Sequence, residues 1–333
     1  MKFFNLPFAL FYAFLSLSGT SSTLAQTFPD KPVKLVVPYQ PGGATDTVAR
    51  VLAQQLSEKW RQPVIILNRP GASASLGAAF VAKSEPDGYM LLICDSSIYV
   101  VVPHLLTNFP YDPHKDLAPI TIVARQPPVL TTRKSLPVSN TKELLAYIKA
   151  HPGELTYGSF GVGTWAHVAM EEVSKIENLK MLHVPFRGGA EVLNEMLAER
   201  VDVFFATMGA VKQYKETGSL KVLATATAKR LSSEPDLPTM SEDGLPGYSL
   251  SVWFGLAAPA GTPGAILDKI QRDVAQLNAD PQFRQKVLGT LALEPGGETR
   301  QEFSKILNDE FDRWGKVIKQ TGIAIPAPSG AAK

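Results

Sequence analysis

VKLVVPYQPGGATDTVARVLAQQLSEKW (33–60) holds a strand, a glycine turn and a helix in one run, and PVIILN (63–68) follows as a second strand. VKLVV is a continuous aliphatic stretch, as a parallel strand needs when helices cover both faces of its sheet. Pro41-Gly42-Gly43 breaks it. Val48, Val51, Leu52 and Leu56 then recur at helical spacing and build one apolar face. Thr45 or Asp46 is expected to cap the exposed amides of the first turn. The unit repeats through RPGASAS (69–75), LGAAFVAKS (76–84) and YMLLICDS (89–96). Strand, small-residue turn, helix and strand in this order predict βαβ units on a parallel sheet.

Outward from this unit, APITIVARQPPVLTTRKSLP (118–137) reads as extended chain leaving the first unit. A second series of the same kind fills about 127–225. ELLAYIKAHPG (143–153) is a helix with Thr141 as its expected cap, and LTYGSF (155–160) is a strand. GVGT (161–164) turns into WAHVAMEEVSKI (165–176), and KMLHVPF (180–186) is the next strand. RGGAEVLNEMLAER (187–200), VDVFFAT (201–207) and VKQYKETG (211–218) continue the pattern, and KVLATAT (221–227) starts the return crossing. Thr262 with Pro263 announces another helix, because proline at the first helical position loses no hydrogen bond. Thr299 three residues before Glu302 has the spacing of a capping box. AIPAPSGAAK (324–333) carries no packing pattern. The whole predicts two α/β lobes, 26–125 plus 226–333 and 126–225, joined by two crossings. The competing division is two consecutive domains parting near residue 150.

A chain of 333 residues, 45% hydrophobic, is long enough for two cores. Lys+Arg 33 against Asp+Glu 31 gives only +2, and no stretch concentrates the basic residues, so nucleic acid is not an expected partner. One cysteine, Cys94, excludes an intramolecular disulfide and a cysteine-based zinc cluster. Its apolar strand context predicts burial. Lys2, the Phe- and Leu-rich run through residue 19 and the small residues Thr23 and Ala25 form the three parts of a secretory signal peptide. Residues 1–25 are expected to be cleaved after Ala25, placing the mature chain in the periplasm. The apolar run is shorter than the roughly 20 residues a spanning helix needs.

Four segments share one property: a strand ends, small residues turn and a helix begins. They are PYQPGGATD (38–46), NRPGASASLG (68–77), GSFGVGTWAH (158–167) and VPFRGGAE (184–191). Unpaired N–H groups at a helix start favour a carboxylate or phosphate, and glycine lets the backbone approach it. The same turns can also be ordinary strand-to-helix connections in which Ser and Thr only cap. G-x-G-x-x-G in order, G-x-x-x-x-G-K-[ST], G-x-S-x-G and H-E-x-x-H are all missing, so no nucleotide, serine-hydrolase or zinc-protease signature exists. Of five histidines only His167 and His183 belong near the proposed cleft, as a cap and a core residue or as a metal pair. Arg187 beside Gly188-Gly189 is either a counter-charge for an acid or a solvated side chain.

YQPGGATDTVAR, VIILNRPGASASLGA, EPDGYMLL, PYDPHKDLAPI, YGSFGVGTWAH, VPFRGG, PTMSEDGLPGY and WFGLAAPAGTP, in this order across 29–323, resemble the solute-binding receptors of tripartite tricarboxylate transporters, the Bug-type group. The resemblance implies a two-lobed type II periplasmic binding fold, α/β, with a ligand cleft between the lobes. It also implies no catalysis, no cofactor or metal, a small carboxylate ligand, a two-component membrane permease as partner, and a monomer. Carried over by position, the implied ligand-binding residues are Tyr39, Pro41, Gly42, Gly43, Thr45 and Asp46, then Pro70, Gly71, Ala72 and Ser73. The third turn supplies Ser159, Gly161, Gly163, Thr164 and His167, and the fourth Phe186, Arg187 and Gly188. The group often carries glycine at Ser73, tyrosine at Phe186 and leucine at Val168. A bare Phe186 ring makes that wall less polar and suits an aromatic or longer aliphatic acid. Two other classes compete: an exported enzyme, for which Asp46 and Asp95 are the nearest carboxylates, and a receptor that only signals to a membrane sensor.

Overall fold

The computed structural model describes residues 28–71, 74–106 and 110–323, without the side chains of Cys94, Lys286 and Val287. The expectations for the signal peptide, Ala72, Ser73, the Cys94 side chain and the 324–333 tail lie outside the described residues.

The first series runs β1 (Val33–Val37), α1 (Ala44–Trp60), β2 (Val64–Asn68), α2 (Ser75–Ala82), β3 (Met90–Asp95), the short α3 (Ser97–Val100) and α4 (Val102–Leu105), and β4 (Leu117–Arg125). The second runs β5 (Pro128–Arg133), α5 (Thr141–Ala150), β6 (Thr156–Ser159), α6 (Trp165–Glu177), β7 (Leu182–Pro185), α7 (Gly189–Leu197), β8 (Val203–Thr207), α8 (Met208–Glu216) and β9 (Leu220–Thr225). The chain then returns through β10 (Trp253–Pro259), α9 (Gly264–Ala279), the single turn α10 (Pro281–Phe283), a π-helical turn over Arg284–Gly289, β11 (Glu294–Pro295) and α11 (Arg300–Thr321).

These strands form two sheets, of order β11-β4-β10-β3-β1-β2 and β7-β6-β8-β5-β9. The expected βαβ units are present: β1 pairs in parallel with β2 (Val33 opposite Val64) and with β3, and β6 pairs in parallel with β7 and β8. The expected parallel sheets also carry antiparallel strands. β10 runs antiparallel to β3 and β4, and β5 antiparallel to β8 and β9. The reason is topological. The chain passes from one sheet to the other through β4 into β5 and returns through β9 toward β10, and the two strands entered after a crossing, β5 and β10, run against the βαβ direction. The two passages touch, with Gln126 N donating to Val252 O at 2.8 Å.

β8 and β10 are buried at every position, which explains their unbroken apolar sequences. Three helix starts differ from the sequence expectation. Gly43, not Thr45 or Asp46, is the N-cap of α1. Asn140, not Thr141, caps α5, because its Oδ1 accepts from Glu143 N at 2.8 Å. α9 begins after Pro263, and the Thr262 hydroxyl bonds to Pro259 O instead. The capping box of Thr299 and Glu302 opens α11 as expected. α11 then reaches across to the second sheet's helices, where Arg313 pairs with Glu172 of α6 at 2.8 Å.

Gly158 sits where β6 passes beneath α7. A Cβ there would lie 2.4 Å from Val192 Cγ1 and 3.3 Å from Val201 Cγ1. Gly158→Ala is expected to cost about 1–3 kcal/mol through overpacking, read as a lowered urea midpoint with an unchanged slope. An unmoved midpoint would mean that α7 is not seated on β6.

Candidate functional site

β1 ends at Val37, and Gly42, at φ 90°, takes a left-handed conformation natural to glycine before α1 starts. This turn is tied from beneath. Asp46 accepts from Gly42 N at 2.9 Å, from Arg50 Nε at 2.8 Å and from Asn68 Nδ2 at 2.8 Å. Asn68 also donates to Tyr39 O. The Arg50 guanidinium, helped by Asn68 and the Gly42 amide, overrides burial and holds the Asp46 carboxyl down at about 2. Asp46 is therefore an ionised strap that shapes the turn, and it does not line the adjoining cavity.

That cavity measures about 630 Å³ and is walled from both sheets. One side gives Tyr39, Gly43, Ala44, Thr45, Asp95, Ser97, Val102 and Phe254; the other gives Phe160–Trp165, Arg187–Gly189, Thr207 and Ala210, with Gln126 between them. A neighbouring space of about 270 Å³ shares Ala44, Gln126, Thr207, Ala210 and Phe254 and continues toward Leu291 and Leu293. The starts of α1, α6, α7 and α8 all meet this cleft, and none has a side-chain cap. Away from it, α5 and α11 are capped by Asn140 and Thr299. α9 lacks a cap as well, so an uncapped end alone means little. Four such ends from two sheets in one cleft present a concentrated set of donors and positive helix ends.

The third turn is built on a buried ring stack. His167 lies on His183 with centroids 4.0 Å apart and planes 8° apart, and His183 lies on Tyr157 at 4.8 Å. The Tyr157 hydroxyl donates to Glu171. Burial lowers both imidazoles to about 4, with His167 adding to the effect at His183 and Glu171 opposing it, so both are neutral at pH 7. Gly163 N donates to His167 Nδ1 at 3.1 Å, and His183 Nε2 lies 2.7 Å from Ser159 Oγ. The Ser159 hydroxyl also meets the Gly161 backbone at 3.1 Å.

Several sequence-derived candidates are accordingly placed differently from the expectation. Ser159 is 0% exposed and faces the stack, away from the cavity wall. Thr164 lines the cavity, but its hydroxyl proton is given to Gly161 O at 2.8 Å. His167 is 7% exposed and holds the Gly163 amide from behind. Phe186 packs partly buried against the core, with its amide on Ser159 O. Gly71 is not at the cavity wall. Tyr39, Gly43, Thr45, Gly161, Gly163, Thr164, Arg187 and Gly188 are brought together there. The stacked imidazoles face one another with parallel planes, and among the described residues no group of three or more His, Cys, Asp or Glu could hold a metal ion.

Sequence reading missed Ser97, Gln126, Phe160, Trp165, Thr207 and Phe254, and considered Asp95 only as a catalytic carboxylate. Asp95 and Thr207 had a usable signal, since each ends a strand, where open α/β sheets gather ligands. Gln126 and Phe254 had none, because they reach the cleft only through the crossing and the return strand.

The chain matches the family described as tripartite tricarboxylate transporter family receptor over residues 48–323. A UPF0065 protein of Bordetella pertussis is 36% identical over 307 residues, covering 92% of this chain and 94% of that protein. An R. palustris protein solved with adipate is 36% identical at a TM-score of 0.80, covering 89% of this chain and 99% of that one. MatC from Rhodopseudomonas palustris, solved with bound malate, is 28% identical at a TM-score of 0.74, covering 87% and 100%.

Proposed function

Because the chain belongs to the tripartite tricarboxylate transporter family of receptors, we propose that it captures a small organic carboxylate between its lobes and delivers it to a two-component membrane permease. The observation that carries this reading is the convergence of four uncapped helix starts on one cleft walled from both sheets. An anion there takes donors from both lobes at once, so its binding favours the closed arrangement. Preoriented amides suit the task because they stabilise charge without being neutralised by it. The adipate and malate of the two R. palustris relatives belong to the same chemical class. The apolar extension toward Leu291 and Leu293 gives room for a longer or aromatic body behind the charged end.

The lobes are 26–125 with 226–333, and 126–225; sheet membership supports this division. Within them, the α1 turn at Gly43–Thr45 and the first turn of α6 behind its N-cap Thr164 hold the carboxylate through main-chain amides, with Arg187 as the outlying cation. The bound acid leaves chemically unchanged, in keeping with a family of receptors. The mature chain works in the periplasm as a monomer after cleavage behind Ala25, which N-terminal sequencing of exported protein tests. The central experiment is a thermal-shift panel of mono-, di- and tricarboxylates, since a ligand of the folded state raises apparent stability by mass action. A rise of several degrees with particular acids is expected. A flat response across the panel, or conversion of a bound acid seen by NMR, would overturn the reading.

A further inference from the structure

Asp95 ends β3 and enters the wall of the carboxylate cleft. Among the described residues that line the cavity it is the single acid, and Arg187 is the single base. A carboxylate in a site for carboxylates needs a reason, because it repels the ligand that the helix ends attract. Resting on the carboxylate-capture reading above, we propose that Asp95 receives an ammonium group, so that the preferred solute is an amino-substituted carboxylic acid.

Donors beside the strand end hold the Asp95 carboxylate at the cavity wall. Its Oδ1 accepts from Ser97 N at 2.9 Å, and the Tyr39 and Ser97 hydroxyls also donate to the carboxylate. With its own backbone amide as a further donor, these contacts fix the orientation of the carboxylate. Asp95 lies deep in the protein yet keeps some accessible surface, as a group at the floor of a cavity must. Burial pushes its carboxyl above the ordinary range, although Tyr39 and Ser97 pull the other way. An incoming cation would restore the interaction that desolvation takes from the charged form. The charges on the wall thus match a zwitterion: helix ends and Arg187 for the carboxylate, Asp95 for the ammonium. A capping role alone does not require the charge, since an amide oxygen accepts from Ser97 N equally well.

The test is isothermal calorimetry with matched pairs that differ only by an ammonium group: succinate and aspartate, glutarate and glutamate, adipate and 2-aminoadipate. The parent protein is expected to bind the amino member of its best pair at least about 10-fold more tightly. Asp95→Asn keeps the shape and the acceptor for Ser97 N, and it should weaken the amino member about 10- to 100-fold while leaving the unsubstituted member equal or tighter. Equal or tighter binding of the unsubstituted member by the parent overturns the proposal, as does a uniform loss for both members in the variant. Malate is the hydroxyl control, and a preference for malate over aspartate also overturns it. The parent comparison stands even if the variant folds poorly, which its ligand-free melting reports. If no acid in any pair binds the parent, the failure belongs to the carboxylate reading itself.

Discussion

Replacing Gly43 with aspartate should abolish carboxylate capture while leaving the ligand-free protein as stable as the parent or slightly more so. Gly43 is the N-cap of α1, with φ −78° and ψ 173°, a conformation open to any residue. A Cβ there comes no closer than 3.9 Å to its nearest neighbour, Gln40 O. Aspartate is a good N-cap and lies at the positive end of the helix, so the substitution gains a few tenths of a kcal/mol over glycine. The same charge then occupies the space meant for the ligand. Two like charges 4 Å apart in a partly screened site repel by about 4 kcal/mol, close to three decades in Kd. Gly188→Asp makes the equivalent change at α7, where nothing lies within 4 Å of an added Cβ. Melting without ligand and calorimetry with the best acid of the panel read the two effects separately. Normal affinity in both variants would remove these helix ends from the site, and a large drop in ligand-free melting would contradict the capping argument.

The opposed signs follow from a division of labour that the sequence shows only in part. The glycine turns at 41–43 and 188–189 were legible because a strand, small residues and a helical apolar period stand in one short stretch. So were the βαβ units, since buried strands and amphipathic helices each have their own period. The inward-facing supports were not legible. Asp46 is tied to Asn68, and Ser159 to His183, across intervals of 22 and 24 residues. Nothing local distinguishes a serine that donates to a ligand from one that holds the loop beneath it. For the same reason the antiparallel place of β10 escaped: pairing with β3 and β4 is decided by the crossings between sheets, not by the pattern within 253–259.

The ring stack under the third turn should appear as an acid sensitivity of stability. His167 titrates near 6.5 in an unfolded chain and at about 4 in the folded one, because burial disfavours its charged form. Between these values the unfolded state binds more protons, so stability falls as pH drops from about 6.5 to 4. For His167 alone the loss is about 3 kcal/mol, at roughly 1.4 kcal/mol per pH unit. His183, also lowered to about 4, acts in the same direction. Glu310 opposes them. It is raised to about 7 by burial beside Trp253, and its protonation in the folded state adds stability as pH falls from 7 toward 4.5. Asp46, held at about 2, contributes its loss only below this window. A raw pH profile mixes these slopes, so the decisive quantity is the difference between the parent and His167→Asn. Asparagine can accept from Gly163 N but does not titrate, and the other groups remain in both proteins. The variant is expected to be the weaker at pH 7.5, where it loses the stack, and to draw level by about 3 kcal/mol as the pH reaches 4. Affinity for the carboxylate should hold across this window and fall only as the pH drops through about 4, where the folded protein's His167 becomes an imidazolium that can no longer accept the Gly163 amide that sets the turn. Denaturation curves that stay a constant distance apart from pH 7.5 to 4 would show that His167 protonates alike in the folded and unfolded chain, and the neutral stack would cease to explain how the turn is held.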